Sequence, residues 1–368
     1  MRRRYHLRHF LVNRQRPVSQ LYLKTTEREA ISAQAEIHHA LLLGMQLTVS
    51  MECGGEVMEQ WMFKLFRRQH EDKFLSSFKK LGLEGLPDAV ACARYHVLSN
   101  GIGGVPVQYV EESDKKAWVR FRYPRWMYAG PTVCGVPIGV SRGFLRGWYA
   151  QNGVSLNNPR LGFVCVSEDM SGEFGFCGYF KEYDRDLSPD ERLQFAQGEL
   201  PPLVDLSDQP APPPGEWSEE RLAKANRNYA LEYIRNGLSA LSEVIGVQKT
   251  TEIASRSARL IGLQYYQSLA QRIGAQDGSP QEAAKFLATL FVGMGDEAAV
   301  QDVDAKHAVV VQRGMRIARG LEMAHAAQVI AVWGELWRGA IRSHSLLMDL
   351  ENSANPDGSH EWRINALQ

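Results

Sequence analysis

The chain has 368 residues, room for two domains of ordinary size, and its 44% apolar and 23% charged residues are the balance of a folded chain and not of a disordered one. Its 42 Lys and Arg meet 42 Asp and Glu, so no overall field draws it to nucleic acid or to an anionic membrane. The exception is the start, MRRRYHLRHFLVNRQR. It lacks the apolar core of a signal peptide and reads as a surface arm, 1–26, that pairs with acidic patches or a partner subunit, one route to a homodimer. Cys53, Cys92, Cys134, Cys165 and Cys177 are an odd set without the close pairing of a zinc motif. They suit a reduced compartment. No apolar run reaches the ~18 residues that a membrane span needs, so the expected location is the cytoplasm.

Thr26-Glu27-Arg28-Glu29 is a capping box that opens a helix. Ile31, Ala35, His38, Leu42, Met45 and Val49 follow on one face. Gly54-Gly55 interrupts it, and a second helix covers 57–78 with Trp61, Leu65 and Phe66 turned inward. Gly82 is a natural residue to close that helix. Pro87 opens a third helix, which stops before Gly101. Residues 105–110 and 117–123 read as strands by alternation. A helical segment runs from about 140 to 151, and a hairpin over 161–180 closes the unit. Ser188-Pro189-Asp190-Glu191 is another capping box, with Pro at the first helical position. The Pro-rich stretch 201–215 is an extended connector.

The second half repeats the order of signals. Helices are expected over 226–244 and 250–273, the latter ending at Gly274 as the first half ends at Gly82. Ser279-Pro280-Gln281-Glu282 caps a third helix, which ends at Gly293-Met294-Gly295. Residues 306–311 match the strand at 116–121, Gly320 matches Gly130, and Gly358 with Trp362 matches Gly172 with Phe176, at offsets of 186 to 193. The pattern predicts an internal duplication. The expected fold is α/β (α+β): two tandem helix-plus-antiparallel-sheet lobes in a pseudo-two-fold arrangement, a repeat at 27–199, a linker at 200–217 and a repeat at 218–368.

Each half resembles the small α/β unit shared by the L-2-amino-thiazoline-4-carboxylic acid hydrolase family and the vinyl-reductase-type ligand-binding domains. The resemblance rests on the Gly82-terminated helix, the segment 148–153, and the hairpin Cys165…Gly172…Cys177. It implies small-molecule binding, with zinc held through cysteines in some members. In the second half Glu351 and Arg363 stand where those cysteines would be. The whole chain, with the arm RHFLVNR at 8–14, is similar to the trans-anethole oxygenase family. That resemblance implies haem b, with molecular oxygen as co-substrate, acting on the side-chain double bond of an alkenylbenzene.

His325 lies in the stretch 315–337, which reads as a helix apolar nearly all round and therefore buried. Ala318, Leu321, Val332 and Leu336 share its face. A neutral imidazole on such a helix is a geometry for holding haem iron, so His325 is the expected metal ligand and catalytic residue, with Trp333, Trp337 and Tyr265 as cofactor-binding candidates. The alternative is a core histidine satisfied by a backbone carbonyl or by Glu322. His38 and His39 are candidate ligands or bases with a core or interface role as alternative; Cys92 and His96 share a helix face but make only two ligands. His344 and His360 are expected at the surface. Cys165 and Cys177 are candidate nucleophiles or ligands, with Glu168 and Asp169 nearby. A hairpin turning near Met170 would pair Cys165 with about Phe174 and Cys177 with about Gly162, which makes two buried structural cysteines the plainer reading. The aromatic second lobe (Tyr265, Tyr266, Phe286, Phe291, Trp333, Trp337) suits a small, apolar aromatic substrate. The chain has no P-loop, nucleophile elbow or dinucleotide loop. Three readings stand: a haem-dependent oxygenase, a hydrolase using Cys165, Cys177 or Glu168, and a non-enzymatic ligand-binding module.

Overall fold

The computed structural model describes residues 27–102, 105–122, 125–171, 175–203, 209–211, 218–275 and 278–367. The basic arm and the dimer contact expected of it lie outside these residues, as do Gly172 and Phe174 of the hairpin turn. The fold is α+β, with two sheets covered by helices.

Helix α1 (Glu27–Phe78) is broken at Gly54, where φ is 81° and ψ 176°, a conformation that glycine reaches without a Cβ clash. Its two arms are the two helices that the sequence predicts. Gly82 (φ 67°, ψ 34°) closes the following turn. Then come α2 (Asp88–Ile102), β1 (Val107–Ser113), β2 (Lys116–Phe121), the short helices α3 (Thr132–Gly135), α4 (Gly139–Gly147) and α5 (Asn152–Ser155), and β3 (Leu161–Ser167), β4 (Cys177–Glu182) and β5 (Leu193–Phe195). The second half has α6 (Glu219–Ile245), α7 (Val247–Ile273), α8 (Pro280–Gly293), β6 (Glu297–Asp302), β7 (His307–Arg313), α9 (Met323–His344), β8 (Met348–Ala354) and β9 (His360–Ala366).

The sheets are ordered β1-β2-β4-β3-β5 and β6-β7-β9-β8. Each therefore holds two hairpins in the order first, second, fourth, third. The helix breaks correspond as well: Gly54 and Gly82 recur as Gly246 and Gly274, 192 residues on in both cases, with positive φ at all four.

Three local expectations are corrected. The capping box at 188–191 forms with both its bonds, but it holds a single 3-10 turn (Pro189–Arg192) and not a helix. That turn delivers β5, which pairs in parallel with β3. The β3–β4 connection spans 168–176 instead of turning tightly near Met170, so Cys165 faces Gly178 and Cys177 faces Ser167. Helix α9 starts at Met323 and not at Met315. Gly314 and Gly320 have positive φ, and Asp296 takes the Arg316 backbone N–H at 3.0 Å; together they hold 315–320 as a turn.

The two halves interlock. The first arm of α1 lies on the second sheet lobe: the backbone of Gly293 rests on the Ala30 carbonyl, and Trp333 Nε1 donates to His38 Nε2 at 2.9 Å. In return α6 lies on the first lobe: Trp61 Nε1 donates to the Gly237 carbonyl at 2.8 Å, and Lys73 pairs with Glu232 at 2.5 Å. One apolar core contains residues of α1 and of all four long helices of the second half. The ranges 27–199 and 218–368 are thus stretches of chain and not separate bodies. The connector is tethered too. Gln209 accepts from Tyr109 N at 2.7 Å and donates to Tyr109 O at 3.1 Å, covering the outer edge of β1 where an open strand invites pairing.

Where α7 and α9 cross, a Cβ on Gly262 would strike the Leu336 carbonyl and one on Gly339 the Arg259 carbonyl. Backbone cannot yield as a side-chain tip can, so Gly262→Ala and Gly339→Ala are each expected to cost about 3 kcal/mol in urea unfolding. Gly101→Ala, which meets nothing within 4 Å, serves as the neutral control.

Candidate functional site

The α6 helix does not seal the first lobe. Beneath it lies a cavity of about 270 Å³, walled by Phe66, Tyr95, Phe144, Trp148, Tyr229 and Tyr233, with His96 and Arg125 also on its lining. A second cavity of about 290 Å³ shares Ser99, Asn100 and Tyr229 with it and reaches Glu36 and His39. Together they form a cleft between α1, α2 and α6. The offset of 192 carries His96, Ser99 and Asn100 onto Ala288, Phe291 and Val292. There Phe291 packs on Trp333, Trp337 and Trp362 with centroids 5.3, 5.7 and 5.5 Å away. Aromatic rings thus fill the space around those positions of the second lobe.

His96 is set by a chain of hydrogen bonds whose direction one residue decides. Arg67 can only donate, and its Nη1 lies 3.2 Å from His70 Nδ1. His70 therefore carries its proton on Nε2, which faces Asn152 Oδ1 at 3.1 Å. That orients the Asn152 amide so that Nδ2 donates to His96 Nε2, also at 3.1 Å. The proton left to a neutral His96 is on Nδ1. Burial first, then the Arg67 charge, pulls the His70 pKa down to about 4 against the bond from Asn152. Burial, His70 and Arg125 drive that of His96 well below the ordinary value. The ring is clamped over Tyr149 at 3.9 Å. His96 is thus a fixed, uncharged N–H donor.

Arg125 is 3% exposed. Burial is the largest single influence and opposes its charge, but the Asp169 carboxylate together with Tyr128 and Tyr149 outweighs it and raises the pKa; Nε and Nη2 lie 3.0 and 2.7 Å from Asp169 Oδ2. The guanidinium stacks over Phe144 at 4.4 Å and Phe176 at 4.6 Å. Its Nη1 has no partner among the described residues, nor has the Trp148 indole N–H. Glu168, next to Asp169, has its pKa raised by burial against the pull of Arg142.

Of the residues singled out in the sequence, His96 and His39 line the cleft and Asp169 holds Arg125, but the haem candidates sit elsewhere. His325 is in the first turn of α9, half-buried. Burial, then the charges of Arg68 and Arg235, lower its pKa. Trp333 and Trp337 are fully buried, and Tyr265 is half-buried on α7. None of the four lines either cavity. Trp333 and Trp337 pack on each other and on His38, which α1 brings from the other half, and so leave no open space between them for a macrocycle. These residues do not fit a haem held by His325. His38 is a satisfied core histidine: Nδ1 faces the Gln34 carbonyl at 2.6 Å, Nε2 accepts from Trp333, and burial takes its pKa to about 4. His39 lines the second cavity, with its pKa also lowered to about 4 by burial. His344 and His360 are half-buried and not exposed; His344 Nε2 reaches the Ser279 carbonyl at 2.9 Å. Cys165 and Cys177 belong to opposite faces of the sheet. Burial raises both thiols, Cys177 to about 12, away from thiolate reactivity. Among the described residues no three His, Cys, Asp or Glu side chains converge as metal ligands, and no helix is long and apolar enough to cross a membrane.

Comparison with known proteins finds no significant match to any family model, curated protein or solved structure. The site therefore rests on its own geometry. His70 had a signal in the sequence: it interrupts the apolar row Phe66, His70, Phe74 at helical spacing. Trp148 and Asn152 lie in the segment 148–153 that carries the resemblance, which gives neither a role, and Arg125 had no signal.

The depressed histidines make stability acid-sensitive. His38, His70 and His96 stay neutral in the fold, whereas the unfolded chain binds their protons below about pH 6.5. More protons on the unfolded state means that stability falls as pH drops from 6.5 towards 4. The raised carboxyls of Glu168 and Asp296 act in the opposite sense. His70 contributes up to about 3 kcal/mol to that loss. The fall in Tm between pH 7 and pH 4.5 is expected to be smaller in His70→Gln than in the wild type.

Proposed function

We propose that the protein binds a small, flat aromatic molecule carrying a carboxylate or carbonyl oxygen, in the cleft between α1, α2 and α6. One observation carries this. The cavity is walled by aromatic rings, and the enclosed polar groups of its lining that have no partner among the described residues, Arg125 Nη1 and the Trp148 indole N–H, are both donors, to which the hydrogen-bond chain adds the Nδ1–H of His96. Aromatic walls take a ring, and a guanidinium with two N–H groups takes an anionic or carbonyl oxygen. This reading keeps the aromatic ring of the substrate expected from the sequence, but replaces an apolar side chain by one that bears an anionic or carbonyl oxygen and seats it in the first lobe instead of the second.

The same donors would stabilise charge building on a carbonyl oxygen. That favours a reaction at an acyl or carbonyl group, as in the hydrolase reading, over oxygen addition to a double bond. Cys165 and Cys177 are not placed to take part. All five cysteines are free, which suits a cytoplasmic setting.

The test compares two ligands that share a ring. 4-Methoxycinnamate carries a carboxylate where trans-anethole carries a methyl group. Tryptophan-fluorescence titration is expected to show the acid binding at least about tenfold tighter. Trp148→Phe and Arg125→Met should each reduce that preference, and Trp148→Phe keeps the ring if loss of Arg125 unfolds the chain. Equal affinity for both ligands in the wild type would sink the proposal. A Soret band in the purified protein would put the oxygenase reading ahead of it.

A further inference from the structure

Three arginines meet on the far flank of α6. Arg235 comes from that helix, and Arg316 and Arg319 from the turn between β7 and α9. They line a cavity of about 210 Å³ with Asn228, Leu231 and Glu232. The turn is rigid where it matters. Asp296 takes the Arg316 N–H and, at 2.7 Å, the Gln312 amide; Gln312 is in turn held by the Trp362 indole at 2.8 Å.

What the guanidiniums touch is the informative part. Arg316 Nη1 donates to Asn228 Oδ1 at 3.0 Å. Arg235 Nη2 donates to the Arg319 carbonyl at 2.6 Å, and Arg319 Nη2 to the Gly314 carbonyl at 2.7 Å. Every partner is a neutral oxygen. Among the described residues none of the three makes an ion pair with a carboxylate, although most other arginines of the fold do. The Nε groups of Arg235 and Arg316 are enclosed and have no partner. Glu232 is the one carboxylate on the wall, and Lys73 holds it at 2.5 Å. The positive field is felt by its neighbours: burial lowers the Arg235 pKa, with Glu232 opposing and Arg319 adding to the fall, and burial, Arg68 and Arg235 lower that of His325 against Glu322. Two carboxylates offset these charges in part, Glu232 beside Arg235 and the buried Asp296 beside Arg316 and Arg319. Glu232 is shared with Lys73, so three guanidiniums still exceed their counter-charge, and gathered like charges are costly unless an anion joins them.

We infer that Arg235, Arg316 and Arg319 form a binding site for a phosphate-type oxyanion. Guanidinium groups suit it because their planar N–H forks match tetrahedral oxyanions. The site adjoins the aromatic cleft. Asn228 and Glu232 line both cavities, and from that shared edge of α6 Ala225 and Tyr229 face the cleft while Leu231 and Arg235 face the arginines. The oxyanion is either free or the ester end of a molecule whose ring lies in the cleft.

Isothermal titration of the full chain with inorganic phosphate and with phenyl phosphate, at ionic strength fixed with chloride, tests this. Inorganic phosphate is expected to bind the wild type. Arg316→Gln should weaken it about tenfold, and so should Arg319→Gln, whose exposed side chain can change without disturbing the fold. Tighter binding of phenyl phosphate identifies an aryl ester as the ligand, and equal binding a free anion. Trp148→Phe should leave phosphate affinity unchanged, which separates this site from the cleft. No binding of phosphate by the wild type, or unchanged affinity in both arginine variants, overturns the inference.

Discussion

Two indole hydrogen bonds show what the structure depends on. Trp61, in the first half, gives its N–H to Gly237 of the second. Trp333, in the second half, gives its N–H to His38 of the first. Each lobe is roofed by a helix that the other half supplies. A helix laid across a sheet lobe buries its apolar stripe only if that lobe offers the matching groove, so each half lacks part of its own core. The merged core of α1 with α6, α7, α8 and α9 follows from this exchange, and so do the positions of the three cavities along α6.

The exchange also explains why the lobes differ. On the second lobe, α1 delivers His38 into a set of rings that close on it, with Phe291, Trp333, Trp337 and Trp362 filling the space. On the first lobe, α6 delivers Tyr229 and Tyr233 to the lip of a space lined by His96, Arg125 and Trp148. Polar residues that fix one another by directed hydrogen bonds resist collapse in a way that apolar rings do not. The first lobe spends its packing on orienting groups, and the second spends it on stability.

Much of this was legible in the sequence because it was local. The breaks at Gly54 and Gly246, the caps at Gly82 and Gly274, and the Ser279 cap with its bond from Glu282 N at 3.2 Å depend on residues within a turn of each other. The alternating runs that became β1, β2 and β7 were also readable. The rest depended on distant partners. The start of α9 is set by Asp296, which no periodicity in 315–337 reveals. The β3–β4 register is not that of a tight hairpin, because the connection runs from 168 to 176, and Asp169 within it is held by Arg125 from a distant stretch of chain. Arg125 itself stands in an irregular stretch between Pro124 and Pro131, with nothing around it to mark a site. His325 looked like a buried ligand because its neighbours are apolar, yet the helix begins only two residues before it and turns it towards Arg68 and Arg235.

The exchange has a consequence for the order of folding. Synthesis runs from the N-terminus, so the first sheet and its helices leave the ribosome well before α6 exists. Until residue 245 has emerged, the groove over Phe66, Tyr95 and Trp148 lies uncovered, and the first arm of α1 has no lobe on which to rest. The nascent chain must carry the first groove uncovered through the fifty residues from the end of β5 at 195 to the end of α6 at 245, and the first arm of α1 for longer still, until β9 ends at 366. It is therefore the arrival of the second half, and not the completion of the first, that allows either to become native.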